Sequence, residues 1–231
     1  EHGIKKRIGL FHQDFEAQYE KTTEYVARTF EKYGDICESY WCCLPMSSKT
    51  NLSNYQLYWV PWNPEEKDIW VRPMPDNRWV INLDNNPFDF YKLGMLQEDL
   101  YKQFGRWYRD HCGGGKTVAL IGMRADESLH RYSAIINKRH PYKDAKWISN
   151  NFKDTWTAAP LYDWATEDIW IANGKFGYDY NRLYDLFYKA GQTIGQMRVA
   201  SPFNEWASQS LNLYRVIEPQ TDRKSTRLNS S

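Results

Sequence analysis

Residues 116–131 read KTVALIGMRADESLHR, and this stretch decides the fold that we predict. Residues 118–121 are apolar without polar alternation, which is typical of a strand buried on both faces of a sheet. Gly122 ends the apolar run, and apolar side chains then recur at helical spacing from Leu129 to Ile136. The stretch therefore predicts a strand that leads into a helix, and in open parallel sheets ligands bind at that junction.

Charged side chains fill this junction. Arg124 and Arg131 flank the start of the predicted helix, where guanidinium groups and free backbone N–H groups both favour a phosphate or sulfate. Asp126 and Glu127 lie between them and could hold Mg²⁺, orient the arginines or stabilise the helix N-terminus. The alternative interpretation is a capped helix with surface ion pairs, and the residues alone do not separate the two.

The composition is that of a globular protein that can bury one large core. Of the 231 residues, 42% are hydrophobic and 16% are aromatic. No apolar run reaches the roughly 18 residues of a membrane span and no signal peptide is evident, so we expect a cytoplasmic protein. The formal net charge of +1 gives no support for membrane binding and disfavours nucleic acid as a partner without excluding it.

The two ends of the chain differ from its body. The chain begins without Met and enters a strand-like run at once, so we expect its natural N-terminus to lie upstream. Residues 221–231 are predicted to be a non-native tail, because from Asp222 on they resemble the translation of a sequencing adapter. Without that tail, the 30 basic and 29 acidic residues become 27 and 28, and the net charge becomes −1.

The cysteines and histidines show no metal-site spacing. Cys42 and Cys43 are adjacent, but no Cys-x-x-Cys pair follows, so core packing and reduced thiols are favoured. Of the five histidines, His12 is the best placed, at a predicted strand end, and no pair has the spacing of a zinc site. We therefore predict no metal site.

The N-terminal part predicts a βαβ unit. Residues 7–12 and 36–44 have the composition of strands, Pro45 stops the second, and a helix closed by Gly34 lies between them. The apolar stripe of that helix consists of Tyr19, Val26, Phe30 and Tyr33. Short links between these elements imply parallel strands.

Residues 46–114 are rich in Trp and Pro and show no sustained helical or strand period. We interpret them as an irregular insertion held by aromatic packing, with a short helix at 97–108. One alternative is a stacking platform for bases or a surface for a partner. A small aromatic subcore is favoured, because basic residues do not cluster there.

Further helices are predicted in the last third of the chain. Thr166 can cap one that runs through Trp170, Asn181 opens another, and Asn204 caps a last one that ends at Pro219. Thr166 and Asn204 each have a side-chain oxygen that can accept a hydrogen bond from the first turn.

Three segments carry a family resemblance in this order: Gly122–Arg131 with the pattern G-x-R-x-D-E-S-x-x-R, PLYDWATEDIW at 160–170, and NRLYDLFYKAGQTIG at 181–195. Together they resemble the phosphoadenosine phosphosulfate (PAPS) reductase family. The chain looks closest to the reductase-like branch that includes immunoglobulin-binding regulators and carries a domain of unknown function. The resemblance covers about residues 7–218, and the ordered set is more specific than any one motif.

The resemblance implies an α/β fold of the adenine nucleotide α-hydrolase type, a parallel sheet with helices on both faces. The domain would span residues 1–220, with the insertion at 46–114. Family members carry a Ser-Gly-Gly-x-Asp-Ser phosphate loop after their first strand. That loop is absent here and its place falls just before Glu1, so the resemblance implies a domain truncated at its N-terminus.

The same resemblance implies the site residues. Asp14 and Glu16 correspond to an acidic strand-end motif near the nucleoside, and the loop from Gly122 to Arg131 closes over the phosphosulfate end. The predicted nucleotide-binding residues are Asp14, Glu16, Gly122, Arg124, Asp126, Glu127, Ser128 and Arg131.

Departures from the family bear on the chemistry. The Glu-Cys-Gly segment whose Cys attacks the sulfur of PAPS is absent, and Gln196 stands where iron–sulfur members have Cys. We therefore expect no iron–sulfur cluster, and no cofactor is firmly implied. Mg²⁺ is needed only if ATP is the substrate, and catalytic residues stay unassigned.

Three hypotheses on function result. The first is binding of an adenosine phosphosulfate for sulfonucleotide reduction or sulfuryl transfer. The second is an ATP pyrophosphatase-type adenylating enzyme that requires Mg²⁺. The third is a non-catalytic nucleotide-binding regulatory module that acts with a protein partner. All three take an adenine nucleotide, PAPS or ATP, as ligand, and the first two make the full-length protein an enzyme.

Overall fold

The computed structural model describes residues 8–50, 57–136, 141–152, 154–203, 211–219 and 221. These residues form two compact units. The first unit comprises the described parts of Glu1–Leu100 and Asn181–Ser231, and the second unit those of Tyr101–Tyr180. Within the described ranges, no helix is long and apolar enough to cross a membrane.

A βαβ arrangement opens the first unit, as predicted. Strand β1 (Gly9–Gln13), helix α1 (Glu20–Tyr33) and strand β2 (Glu38–Cys42) follow one another, and β1 pairs with β2 in parallel. Helix α1 buries Val26 and Phe30 from the predicted stripe. These two residues lie four apart, on the same face of the helix, which is why the segment packs as an amphipathic helix.

The Trp- and Pro-rich region contains more strand than predicted. Strands β3 (Ser48–Lys49) and β4 (Tyr58–Trp59) form an antiparallel pair, a 3₁₀ helix covers Pro64–Ile69, and β5 (Val80–Ile81) adds a third parallel strand beside β2. Strand β5 is too short to show a local period, so only its pairing with β2 defines it. Helix α2 (Gln97–His111) confirms the short helix predicted at the end of this region.

Aromatic packing dominates the core of the first unit. Trp41 and Trp62 are each only 1% exposed, and both belong to one buried cluster with Val26 and Phe30. The ring centroids of Phe30 and Trp41 are 5.4 Å apart. The aromatic packing expected of the Trp- and Pro-rich region is therefore present, and it is continuous with the core beneath α1.

The second unit is built on a mixed sheet. Strand β6 (Thr117–Leu120) is followed by helix α3 (Leu129–Ile136) and by strands β7 (Pro141–Tyr142), β8 (Ala145–Phe152) and β9 (Thr155–Ala158). The strand order is β6-β9-β8-β7, in which β6 and β9 are parallel and the other neighbours antiparallel. The protein is thus of the predicted α/β class and contains parallel strands, but this sheet is not wholly parallel.

The prediction that residues 118–121 form a strand buried on both faces is wrong. Val118 is 51% and Leu120 is 71% exposed, so the faces of β6 are not both covered. Among the described strands, β6 lies at the edge of the sheet and pairs only with β9. In α3, Ile135 is buried, whereas Leu129 is 88% exposed. An apolar run predicts a strand, but whether a second layer covers that strand is a tertiary property.

Helix α4 (Thr166–Phe176) differs from its prediction at the first turn. Its N-cap is Ala165 rather than Thr166. The Ala165 N–H donates a hydrogen bond to the Asp168 carboxylate at 2.9 Å. The helix ends at Gly177, whose φ of 63° lies in the left-handed region that favours glycine.

Helices α5 (Leu183–Lys189) and α6 (Leu211–Ile217) complete the first unit. The Leu183 N–H donates a hydrogen bond to the Asn181 side chain at 3.0 Å. Asn181 thus lies just before α5, as predicted, although the N-cap of the helix is Arg182. The predicted start of the last helix at Asn204 lies outside the described residues.

Candidate functional site

The second unit brings together two of the segments that carry the family resemblance. Strands β6 and β9 are parallel neighbours, so their carboxyl ends meet at one edge of the sheet. Just beyond that edge, the Ala125 N–H donates a hydrogen bond to the Tyr162 carbonyl at 2.8 Å. The segment Gly122–Arg131 therefore contacts the segment 160–170, at the position where parallel strands place ligands.

Arg124 is held by the start of α4. Only 14% of its side chain is exposed, and its Nη1 donates to the Thr166 hydroxyl at 3.1 Å and to the Trp164 carbonyl at 3.4 Å. The Thr166 hydroxyl and N–H in turn donate to Asp126 Oδ2, each at 3.1 Å. Thr166 thus joins Arg124 to Asp126. Sequence reasoning missed this role, because Asp126 and Thr166 are 40 residues apart along the chain.

Glu127 lies between the two arginines. Its carboxylate oxygens are 3.6 Å from Arg124 Nε and 3.6 Å from Arg131 Nε. The ion pairs of the alternative interpretation are therefore present. Arg131 is 52% exposed, so its guanidinium can exchange Glu127 for another oxyanion at small cost, since exposed ion pairs contribute at most about 1 kcal/mol.

We call the following residues the arginine cluster: Arg124, Asp126, Glu127, Arg131 and Thr166. Beside it, the Ser128 hydroxyl accepts a hydrogen bond from the Arg131 N–H at 3.2 Å and so caps α3. Gly122 is exposed, and a Cβ there would meet nothing within 4 Å. A cavity of about 420 Å³ adjoins the cluster, with Ala125 and Tyr162 in its lining.

Asp14 is fully buried in the first unit. Trp41 Nε1 donates to its Oδ2 at 2.9 Å, while the Arg72 guanidinium and the Glu16 N–H donate to its Oδ1. Arg72 Nε also donates to the Glu16 carbonyl at 2.8 Å. A buried carboxylate needs such partners, and Arg72 is its counter-ion. Sequence reasoning missed Arg72, because a single arginine in an irregular region carries no local signal.

Glu16 anchors the Trp- and Pro-rich region to the end of β1. Its carboxylate accepts hydrogen bonds from the Trp62 N–H and the Val71 N–H, both at 2.7 Å. Burial raises the pKa of Glu16 from its usual 4.5 to about 7, although these two hydrogen bonds oppose the shift. Its φ of 61° lies in the left-handed region, which costs a non-glycine residue about 1–2 kcal/mol.

Asp14 and Glu16 thus stabilise the first unit, whereas the other predicted nucleotide-binding residues are grouped in the second. The contact of these two carboxylates with a nucleoside stays a prediction. Burial raises the pKa of the Cys42 and Cys43 thiols, which keeps both protonated and makes them poor nucleophiles. In the described part of the chain, no three His, Cys, Asp or Glu side chains are grouped as a metal site would require.

The chain belongs to the phosphoadenosine phosphosulfate reductase domain family, whose model matches residues 69–202, more than half of its length. Residues 191–229 match a domain of unknown function, DUF3440, and this span runs into the tail predicted to be non-native. The arginine cluster lies within the first match. Family membership supports a role with a sulfonucleotide or another adenine nucleotide.

A curated relative extends the comparison. The uncharacterized protein YbdN of Escherichia coli (strain K12) is 36% identical over 218 residues, which cover 93% of this chain and 52% of that protein. The chain thus spans about half the length of this relative. No solved structure matches the chain.

Proposed function

We propose that this protein binds an adenosine phosphosulfate or a related adenine nucleotide, with Arg124 and Arg131 at the charged end of the ligand. The observation that carries the proposal is the Arg124–Glu127–Arg131 arrangement at the shared carboxyl end of β6 and β9. Two guanidinium groups on either side of one carboxylate form a site that an incoming phosphate or sulfate can take over, because it accepts the same N–H donors.

The contacts of Arg124 suit it to this role. Thr166 and the Trp164 carbonyl fix its Nη1, which also lies 3.6 Å from Asp126 Oδ2. Among the described residues, its Nε pairs with Glu127, at 3.6 Å. An oxyanion that displaces Glu127 would meet a guanidinium already in place, so little side-chain entropy is lost on binding. The low exposure of Arg124 also strengthens its interaction with a charged group.

Within this proposal the reaction is sulfonucleotide reduction or sulfuryl transfer. One observation favours a second candidate, a nucleotide-binding regulatory module without turnover. Reduction in the family uses a cysteine thiol. Cys42 and Cys43 are buried and their pKa values are raised, while the partly exposed Cys37 and Cys112 are not in the arginine cluster. An ATP pyrophosphatase activity remains the enzymatic alternative. Two assays separate the three candidates. Release of sulfite from PAPS in the presence of a thiol reductant indicates reduction, and release of pyrophosphate from ATP–Mg²⁺ indicates a pyrophosphatase. Neither release indicates a regulatory module.

Calorimetric titration of the full-length protein with PAPS and with ATP–Mg²⁺ tests the binding. We expect affinity in the micromolar range for one of them, which corresponds to about −8 kcal/mol. Arg124→Ala is expected to weaken that binding by about 1.5–3 kcal/mol, because it removes a charge-assisted hydrogen bond to the ligand.

Arg109→Ala is the matched control for Arg124→Ala. Arg109 also has a largely covered side chain, 19% exposed, and pairs with Asp110 at 2.8 Å, but it lies in α2 outside the arginine cluster. Its replacement should leave the affinity unchanged. Unchanged affinity for both nucleotides in Arg124→Ala would remove the basis of the proposal.

A further inference from the structure

The first unit contains a second cavity, built from residues outside the arginine cluster. Its volume is about 490 Å³, within the range of roughly 300–1,000 Å³ typical of small-molecule sites. Cys43, which directly follows β2, and Asn82, which directly follows β5, contribute to its lining. The cavity therefore opens at the carboxyl ends of two parallel strands, where ligands bind in sheets of this kind.

One wall of this cavity is aromatic and fixed in position. Trp62 and Trp70 pack edge to face with ring centroids 5.1 Å apart. Trp70 Nε1 donates to the Asn63 carbonyl at 2.8 Å, which sets the orientation of its ring. Leu83, which also lines the cavity, is 43% exposed. The lining thus offers apolar surface to a flat ligand.

The same wall carries two cations. Lys67 Nζ lies 5.8 Å from the centroid of the Trp70 ring, and the Arg72 guanidinium lies 5.0 Å from that of Trp62. Arg72 uses its Nε and Nη2 for Glu16 and Asp14. A guanidinium has five N–H donors, and the Nη1 of Arg72 has no partner among the described residues. Lys67 and Arg72 can therefore accept an anionic group.

Acceptors come from the β5 side. The Asn82 side chain and the Asp84 carboxylate both line the cavity. Asn82 Oδ1 already accepts a hydrogen bond from the Asp84 N–H at 2.9 Å, and a carbonyl oxygen can accept a second one. Asp84 disfavours a ligand that is only an anion, and it favours one that also carries a hydrogen-bond donor such as an aryl amine.

We propose that this cavity binds a small planar aromatic compound that carries one anionic group and one amino donor. The ring would pack against Trp70, the anion would meet Lys67 and Arg72, and the donor would meet Asn82 and Asp84. Every contact comes from the first unit and none from the arginine cluster, so this proposal can fail without affecting the role proposed for Arg124 and Arg131.

Ligand-observed NMR and calorimetry on the full chain test the proposal with three probes. Sulfanilate and 4-aminobenzoate both have the required ring, amine and anion. The anion is a sulfonate in sulfanilate and a carboxylate in 4-aminobenzoate. The neutral 4-aminobenzamide has the same ring and amine, with an uncharged carboxamide in place of the anion. We expect both anions to bind at least about fivefold more tightly than the amide, because a charge-assisted contact is stronger than a neutral one.

Lys67→Met is the decisive variant, because it keeps the apolar stem of an exposed side chain and removes only the charge. It should weaken both anionic probes by about fivefold or more and leave 4-aminobenzamide unchanged. Lys32→Met is its control: Lys32 Nζ lies 5.2 Å from the Tyr33 ring on α1, away from the cavity, and its loss should change nothing. Leu83→Glu, at an exposed lining residue, should also weaken the anions.

Three results would overturn the proposal. One is that none of the probes binds. Another is that the neutral amide binds as tightly as the anions. The third is that Lys67→Met behaves like Lys32→Met. Circular dichroism of each variant, compared with that of the unsubstituted chain, confirms that the fold is retained.

Discussion

Replacing Asp14 by Ala is expected to lower the free energy of unfolding by about 3–5 kcal/mol. The Asp14 carboxylate is fully buried and accepts hydrogen bonds from Trp41 and Arg72. Its loss leaves the Arg72 guanidinium without its counter-ion, although only 16% of the Arg72 side chain is exposed. It also leaves the Trp41 indole N–H without an acceptor. Urea unfolding of the 231-residue chain, followed by tryptophan fluorescence, measures the change.

Asp35→Ala is the matched control. Asp35 pairs with Arg78 at 2.8 Å, but both side chains are more than half exposed, so the loss should stay below about 1 kcal/mol. The double variant Asp14→Asn, Arg72→Met should recover part of the stability lost in Asp14→Asn, because it removes both charges of the pair. Equal losses for Asp14→Ala and Asp35→Ala would contradict the role given to Asp14.

The second large effect concerns pH. When the pH rises from about 5 to about 8, the free energy of unfolding of the unsubstituted chain should decrease. We expect this decrease to be larger than that of Glu16→Gln by on the order of 2 kcal/mol. Burial raises the pKa of Glu16 to about 7, above its usual 4.5, so over this interval the folded state holds a proton that the unfolded state has released. The resulting stabilisation of the folded state is fully present below the pKa of 4.5 in the unfolded chain. It is lost as the pH rises through the pKa of about 7 in the folded chain. Gln cannot ionise and lacks this dependence.

Urea unfolding at a series of pH values gives the two profiles. The charged groups that act on Glu16 are Arg72, which lowers its pKa, and Asp14, which raises it. Both remain in Glu16→Gln, so the difference between the profiles reports Glu16. Glu31→Gln removes an exposed carboxylate from α1 and should follow the unsubstituted chain. If the pH profile of Glu16→Gln also matches that of the unsubstituted chain, the pKa of Glu16 is not raised by folding and the prediction is wrong.

The elements that could be predicted are those with a local period. The turn-to-turn spacing of Val26 and Phe30 lies within α1 itself, and the strands on either side are bounded by turn residues and Pro45. By contrast, β5 is two residues long and exists only through its pairing with Trp41 and Cys42. The exposure of β6 was missed for a related reason, because an apolar run does not report whether anything packs on it.

The candidate site divides in the same way. Arg124 and Glu127 are three residues apart along the chain, and Glu127 and Arg131 are four apart, so their proximity follows from the sequence once a strand-to-helix junction is predicted. Thr166 joins them only because β6 and β9 are parallel neighbours in the sheet. No sequence pattern around Thr166 indicates a contact with the arginines. The sequence alone predicts that Thr166 caps α4, but the N-cap position is occupied by Ala165.

The sequence by itself determined the α/β class, the βαβ unit, the family and the charged residues at the strand-to-helix junction. These depend on periodicity and on ordered motifs, which are properties of contiguous residues. Only the tertiary structure decided the partners of the charges. Asp14 meets an arginine 58 residues away, and Arg124 meets Thr166, 42 residues away. Such contacts are selected by the fold, because burying a charge requires a partner and the chain supplies it from whichever segment packs alongside.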